Sequence, residues 1–288
     1  MVALFRSYFV LRGQFLWAVA LMVGGGLGCE PKAGTWTPRE LRILSSLSLS
    51  SLGLPPAAPS NRFVGHPTAV ALGKKLFFDS QLSKDGTRSC ATCHAPERAF
   101  TDGRGRPLGS GASGRNTPTV IGAAYEQWFY WDGRRDSLWS QALIPFEAAN
   151  EMGVSRTAVI RRVVFEPEYL ALFRSLYGSL PPRDWLERLP AHAGPFGDAA
   201  AQNEWSRLRG PERRRINRMY ATVGKAIAAY EYTLLYSPGP IDRYIDAITQ
   251  DRPSEAKQYL TDLQRQGLAL FISDRTRCLR CHNGPRLT

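Results

Sequence analysis

The chain has 288 residues, 43% hydrophobic, 22% charged and 11% aromatic, which excludes a disordered chain, a collagen and a multi-span membrane protein. Its formal net charge is +12, but the arginines are scattered rather than blocked and no nucleic-acid motif appears, so no nucleic-acid partner is expected. The basic excess reads as a solvated surface, with docking of an acidic partner or balancing of an anionic cofactor as the alternatives.

At the N-terminus, Arg6 and Arg12 precede an apolar run from Phe15 to Leu27. The run is too short for a comfortable membrane span and its flanks look secretory. Cys29 follows Leu27-Gly28, as at a bacterial lipoprotein cleavage site, although Gly26 stands where such sites usually carry Leu. Residues 1–28 are therefore expected to be a lipoprotein-type signal, with Cys29 acylated; an ordinary signal peptide or an uncleaved anchor would also export the chain. Residues 29–60 read as a linker holding one short helix after Thr37-Pro38, with Leu41, Leu44 and Leu47 on one face.

Further on, a helix is predicted over Pro67–Phe78 with Ala69, Leu72, Leu76 and Phe77 inward. The Gly-rich, basic stretch from Asp102 to Ser113 reads as a loop. Ser155 caps a helix carrying Val159 and Val163, and Pro167 opens another with Leu170, Phe173 and Tyr177. The clearest helix runs from Glu212 to about Leu235, where Ile216, Tyr220, Val223, Ile227, Tyr230 and Leu234 recur at three and four residues. Ser237-Pro238-Gly239-Pro240 ends it, and a further helix is predicted from Ser254 to Phe271. No stretch alternates as a strand would, so the fold class is all-α, in two lobes joined near 237–240.

Cysteine use points to chemistry. Four of the five cysteines form Cys90-Ala-Thr-Cys93-His94 and Cys278-Leu-Arg-Cys281-His282. Thiols at i and i+3 lie on one side of a helical turn, so both can add to the vinyl groups of one haem, and the adjacent His supplies the proximal nitrogen. A four-thiolate zinc site is the competing reading, weakened by the distance between the pairs in an exported chain and by the His repeated at one offset. A thioredoxin-like redox pair lacks its βαβ context. Two covalently bound haem c groups are expected.

Between these motifs lie Gly114-Arg-Asn116-Thr-Pro118-Thr, Trp128-Phe-Tyr-Trp131-Asp-Gly-Arg134, Ser137-Leu-Trp-Ser-Gln141-Ala-Leu-Ile-Pro145 and Asn150-Glu151-Met152-Gly153. With Gly73–Asp79 and Ser89–Asp102 ahead of them, they resemble the bacterial di-haem cytochrome c peroxidase family, which includes MauG-type enzymes, over roughly residues 60–288. The resemblance implies a first, peroxidatic haem c domain over 61–236 and the start of a second, electron-transfer haem c domain over 237–288. It places Gln141, Pro145 and Glu151 in the distal pocket of the first haem, with Glu151 shuttling a proton between peroxide oxygens and Gln141 holding the peroxide. Pro145 is expected to end a helix and fill space over the iron. Trp131 matches a tryptophan that relays electrons between the haems, and Asn116 a position that helps bind calcium.

Between His94 and His192 the chain has no histidine. His66 and His192 read as structural or exposed, so the first haem should be open on its distal side. Family members continue well past the second motif, through the second haem's sixth ligand and further calcium contacts. The chain stops at Thr288, so its second lobe is expected to be incomplete. The implied activity is reduction of hydrogen peroxide to water, with electrons from a small periplasmic donor such as a cytochrome c or a cupredoxin. The alternatives are a MauG-like oxidase that modifies a partner protein and a plain electron-transfer cytochrome. The expected location is the periplasm, with membrane contact only through a lipid anchor at Cys29.

Overall fold

A computed structural model describes residues 36–105 and 116–287. The expected signal segment, Cys29 and residues 106–115 of the Gly-rich loop lie outside the described residues. Those described form helices α1 (Pro38–Leu47), α2 (Pro67–Phe78), α3 (Cys90–Cys93), α4 (Leu138–Gln141), α5 (Ile144–Glu147), α6 (Arg156–Phe165) and α7 (Pro167–Tyr177). They continue as α8 (Arg183–Glu187), α9 (Ala199–Arg207), α10 (Gly210–Glu231), α11 (Pro240–Thr249), α12 (Pro253–Ala256) and α13 (Asp262–Ile272). Among the described residues there is no strand, only two isolated antiparallel bridges, Ala95–Thr101 and Phe129–Arg135. The all-α expectation holds. None of the described helices is long and apolar enough to cross a membrane.

The first core is built on α10, whose Ile216, Met219, Tyr220, Val223 and Ile227 are all buried. Helix α2 lies against it, with Leu72, Leu76 and Phe77 buried, and α6 and α7 close the sides through Val159, Val163 and Phe173. Contact between α2 and α10 is set by Gly73: a Cβ there would stand 1.9 Å from the carbonyl oxygen of Ala226. Two helix backbones meet that closely only where one lacks a side chain. Helix α10 stops at Glu231 rather than near Leu235. The Leu234 carbonyl instead accepts from the Gly122 N–H at 2.8 Å, which draws the chain out of the helix.

A second, separate core joins Leu44 and Leu47 of α1 to Tyr244, Ile245, Leu268 and Ile272 of α11 and α13. The stretch expected to be a linker, 29–60, is therefore partly core. Helix α1 is docked by a Trp36 Nε1–H donation to the Tyr244 hydroxyl at 2.7 Å and a Ser48 hydroxyl donation to Asp246 at 2.7 Å. The helix expected over Ser254–Phe271 is broken. Helix α12 ends at Ala256 and α13 restarts at Asp262 behind a Thr261–Gln264 capping box.

Candidate functional site

Helix α3 is a single turn that holds the first cysteine pair. Its entry is fixed by the Ser89 N–H, which donates to Thr92 Oγ1 at 2.9 Å, and its exit by the His94 N–H, which donates to the Cys90 carbonyl at 2.8 Å. The chain then reverses through Ala99 and Phe100, at φ 51° and 58°, and Ala95 pairs with Thr101. Left-handed backbone at two consecutive non-glycine residues costs of order 1–3 kcal/mol each. This reversal brings the Phe100 carbonyl to 3.2 Å from His94 Nδ1. A carbonyl can only accept, so Nδ1 carries the proton and Nε2 is left with its lone pair. Burial also holds the His94 pKa below its ordinary value, which favours the neutral ring.

The second motif repeats the device. Cys278–Arg280 form a 3-10 turn, the His282 N–H donates to the Cys278 carbonyl at 2.9 Å, and His282 Nδ1 lies 3.0 Å from the Leu287 carbonyl. All four thiols are free. Two thiols one turn apart, followed by an imidazole whose Nδ1 is tied to a backbone carbonyl, suit haem attachment with Nε2 as iron ligand. Among the described residues no three His, Cys, Asp or Glu side chains gather as a metal-binding group, so nothing there supports the zinc alternative. Asn116 is exposed on irregular chain and no such group includes it, so the calcium expectation finds no support among the described residues.

Glu151 lies in the turn after α5, and this turn is tied to the attachment segment. The Glu151 carbonyl accepts from Arg88 Nη1 at 2.7 Å, and the Met152 carbonyl accepts from the Lys84 N–H at 2.9 Å. Glu151 is exposed as a residue, with protein packed near its carboxyl. This desolvation raises its pKa, partly opposed by the charge of Arg134. Its own charge is felt at both Cys90 and Cys93, which places it beside the first attachment site. Gln141 ends α4 and is half-buried, and Tyr130 feels the Glu151 charge. The structure thus ties the Glu151 turn to the segment that leads into Cys90 and Cys93. Pro145 is a correction in detail: it lies in the first turn of α5 and so opens a helix rather than ending one. Trp131 stands 87% exposed, and its neighbour Trp128 64%. His66 is exposed at the start of α2, and His192 pairs with Asp198 at the surface.

Two residues at this site were not singled out from sequence. Tyr130 sits in a run of four aromatics, of which Trp128 and Trp131 are exposed and Phe129 and Tyr130 half-buried. Glu231 sits on the buried face of α10, with its Oε2 unpartnered, and it raises the pKa of Cys90. Burial lifts the Glu231 pKa from 4.5 to about 8. The unfolded chain releases this proton near 4.5 and the folded chain near 8. Stability should therefore fall as pH rises through that interval, with the full penalty present above it. Chemical denaturation of Glu231→Gln beside the parent is expected to show the two equal near pH 4.5 and the variant more stable at pH 9. Equal slopes with pH would mean that Glu231 keeps an ordinary pKa.

A protein-family model described as di-haem cytochrome c peroxidase matches residues 67–250. The methylamine utilization protein MauG of Methylorubrum extorquens is 34% identical over 224 residues, covering 77% of this chain and 51% of that protein. Cytochrome-c peroxidase IdrP1 of a Pseudomonas species, strain SCT, is 31% identical over 222 residues, covering 75% and 46%. Cytochrome c551 peroxidase of Pseudomonas aeruginosa is 29% identical over 218 residues, covering 75% and 50%. The chain spans about half the length of these curated relatives. Among solved structures, the diheme peroxidase BthA of Burkholderia thailandensis aligns with a TM-score of 0.51 at 28% identity, over 75% of this chain and 49% of that one. A MauG-like protein associated with microbial copper homeostasis shares the fold, with a TM-score of 0.59 at 24% identity over 82% and 58% of the two chains.

Proposed function

The chain belongs to the di-haem cytochrome c peroxidase family, and from that premise we propose that it carries two haem c groups and reduces hydrogen peroxide to water with electrons from a small donor protein, a cytochrome c or a cupredoxin. The observation that supports this reading is the first cysteine–histidine turn, with His94 Nδ1 held at the Phe100 carbonyl and the Glu151 turn tied to the segment just ahead of Cys90 by Arg88 and Lys84.

Cys90 and Cys93 would bind the first haem through thioether bonds and His94 would ligate it through Nε2; Cys278, Cys281 and His282 would do the same for the second. A haem held by these residues would supply the redox chemistry. Glu151 takes a proton from the nearer peroxide oxygen and returns it to the farther one, which leaves as water. Desolvation raises its pKa above the ordinary carboxylate value, the direction that favours the proton-carrying form. Gln141 holds the peroxide in line with Glu151. Two electrons and two protons complete the reduction to two waters, the electrons entering at the second motif and passing by way of Trp131. The chain acts in the periplasm, anchored by lipid at Cys29. Oxidation of a partner protein is the second reading, favoured by the exposure of Trp131, through which a partner could be reached.

Expression in a host with periplasmic haem-attachment machinery is expected to give a pyridine haemochrome ratio near two haems per chain, and near one for Cys90→Ala/Cys93→Ala. A ratio near zero, with zinc bound instead, would overturn the assignment of the cofactor. Donor-dependent peroxide consumption by the loaded protein then tests the activity itself.

A further inference from the structure

We propose that Arg286 is a positioning residue for the second motif: by gripping Glu126 and Tyr125 of the first lobe, it holds the Leu287 carbonyl on His282 Nδ1. The proposal rests on the reading of Cys278–His282 as a haem attachment site. It starts from a difference between the two histidine latches. The Phe100 carbonyl that meets His94 is fixed from several sides. The Phe100 N–H donates to the Ala95 carbonyl at 2.8 Å and the Ala95 N–H to the Thr101 carbonyl at 3.2 Å. The Thr119 hydroxyl donates to the Ala99 carbonyl at 2.6 Å, and the Phe100 ring packs edge-on against Phe77. Among the described residues the Leu287 carbonyl has no such frame of its own. Its turn is closed by the Leu287 N–H, which donates to the Gly284 carbonyl at 3.1 Å, and the Leu287 side chain is exposed. Leu287 also has φ 55°, a left-handed conformation that persists only where the surroundings hold it.

Arg286 supplies that hold from outside the turn. Its Nη1 donates to Glu126 Oε1, and its guanidinium lies 6.0 Å from the centroid of the Tyr125 ring. Both partners stand on a stiff platform. Tyr125 stacks on Tyr236 with ring centroids 6.0 Å apart, and its hydroxyl donates to the Gly53 carbonyl at 2.9 Å. Tyr236 lies over Gly122, where a Cβ would stand 2.1 Å from Tyr236 Cζ, and the Gly122 N–H is bonded to the Leu234 carbonyl. A fully exposed ion pair would fix little, but the Arg286 side chain is only 22% exposed and rests on a ring. Arg286 and Leu287 are adjacent, so a fixed Arg286 limits how far the Leu287 carbonyl can swing from His282, 3.0 Å away. An imidazole whose Nδ1–H is engaged is a stronger donor through Nε2, which favours ferric over ferrous iron. The first lobe thereby lowers the reduction potential of the second haem.

The test is potentiometric titration of the haem-loaded protein carrying Glu126→Ala, Arg286→Ala or both, with Cys90→Ala/Cys93→Ala identifying the wave of the second haem. Through-space charge alone predicts opposite signs, since removing an anion raises a haem potential and removing a cation lowers it. A loosened latch predicts that both variants raise it, by about 5-fold in the reduction equilibrium constant, the effect of one hydrogen bond. The first haem should not move, and the double variant should match Arg286→Ala rather than the sum of the two. Shifts of opposite sign, additive shifts, no shift, or an equal movement of the first haem would overturn the proposal. A parent without a second wave would overturn it together with the attachment reading. Both shifts in a protein without peroxide turnover would uphold Arg286 and reject the peroxidase reading. Peroxide turnover with a second-haem potential that neither variant moves would do the reverse.

Discussion

Replacing Glu151 with Gln is expected to cost peroxide turnover roughly 100- to 10,000-fold while both haems stay attached, the usual loss on removing a positioned acid–base group. The substitution keeps shape and hydrogen bonding but removes the exchangeable proton. Glu151 is anchored by its backbone, through the Arg88 donation to its carbonyl, so the turn should survive the change. The pH profile adds a second readout. Desolvation lifts the Glu151 pKa above its ordinary value, so the base form is lost, and the rate should fall, as pH drops through that raised value. The variant should lack this limb. Steady-state peroxide reduction with a reduced cytochrome c measures both, with the haem absorption spectrum as the control for attachment. Turnover within a few-fold of the parent would show that Glu151 has been misassigned.

Gly73→Val is expected to prevent the first core from assembling. The new Cβ would stand 1.9 Å from the Ala226 carbonyl oxygen, 2.6 Å from the Ala226 carbonyl carbon and 3.0 Å from the Ile227 Cα. All three atoms are α10 backbone, so no rotamer change relieves the contact and the two helices must part. Overpacking typically costs about 1–3 kcal/mol where side chains can shift, and more where they cannot. Parting α2 from α10 would also open the seam between Leu72, Leu76 and Val223. Gly267, inside α13, is the contrast, since a Cβ there meets nothing within 4 Å. Gly267→Ala should gain up to about 1 kcal/mol from helix propensity alone. Urea unfolding followed by far-ultraviolet circular dichroism compares the two, and a cooperative, parent-like transition for Gly73→Val would contradict the close helix contact.

Some of this was legible in the chain. Pro67 and the apolar spacing mark α2 to the residue, and the stripe on α10 shows its buried face, because periodicity reports which side of a helix avoids water. Periodicity does not report the partner. Leu44 and Leu47 were read correctly as one face of a helix, yet nothing local says that this face meets Tyr244 and Ile245. The Thr261–Gln264 capping box that breaks the last long helix was a readable signal, outweighed by the apolar residues on either side of it. The cysteine–histidine motifs name the candidate attachment residues directly, since the chemistry they suit follows from their spacing. The carbonyls that latch His94 and His282 were not readable. They depend on left-handed backbone at Ala99, Phe100 and Leu287, where no glycine announces it. The same holds for the left-handed backbone at Tyr130, a residue type that rarely adopts it.

Docking of α1 on the second core has a consequence for the order of events during synthesis. Trp36 and Ser48 find Tyr244 and Asp246 only after the whole first core has emerged between them. Closing so long a loop over an unfolded chain would be entropically costly, though the cost grows only logarithmically with length. Once α2, α6, α7 and α10 have condensed, the intervening chain is already compact, and the remaining gap is short. The first core thus acts as a template for joining the ends of its own sequence.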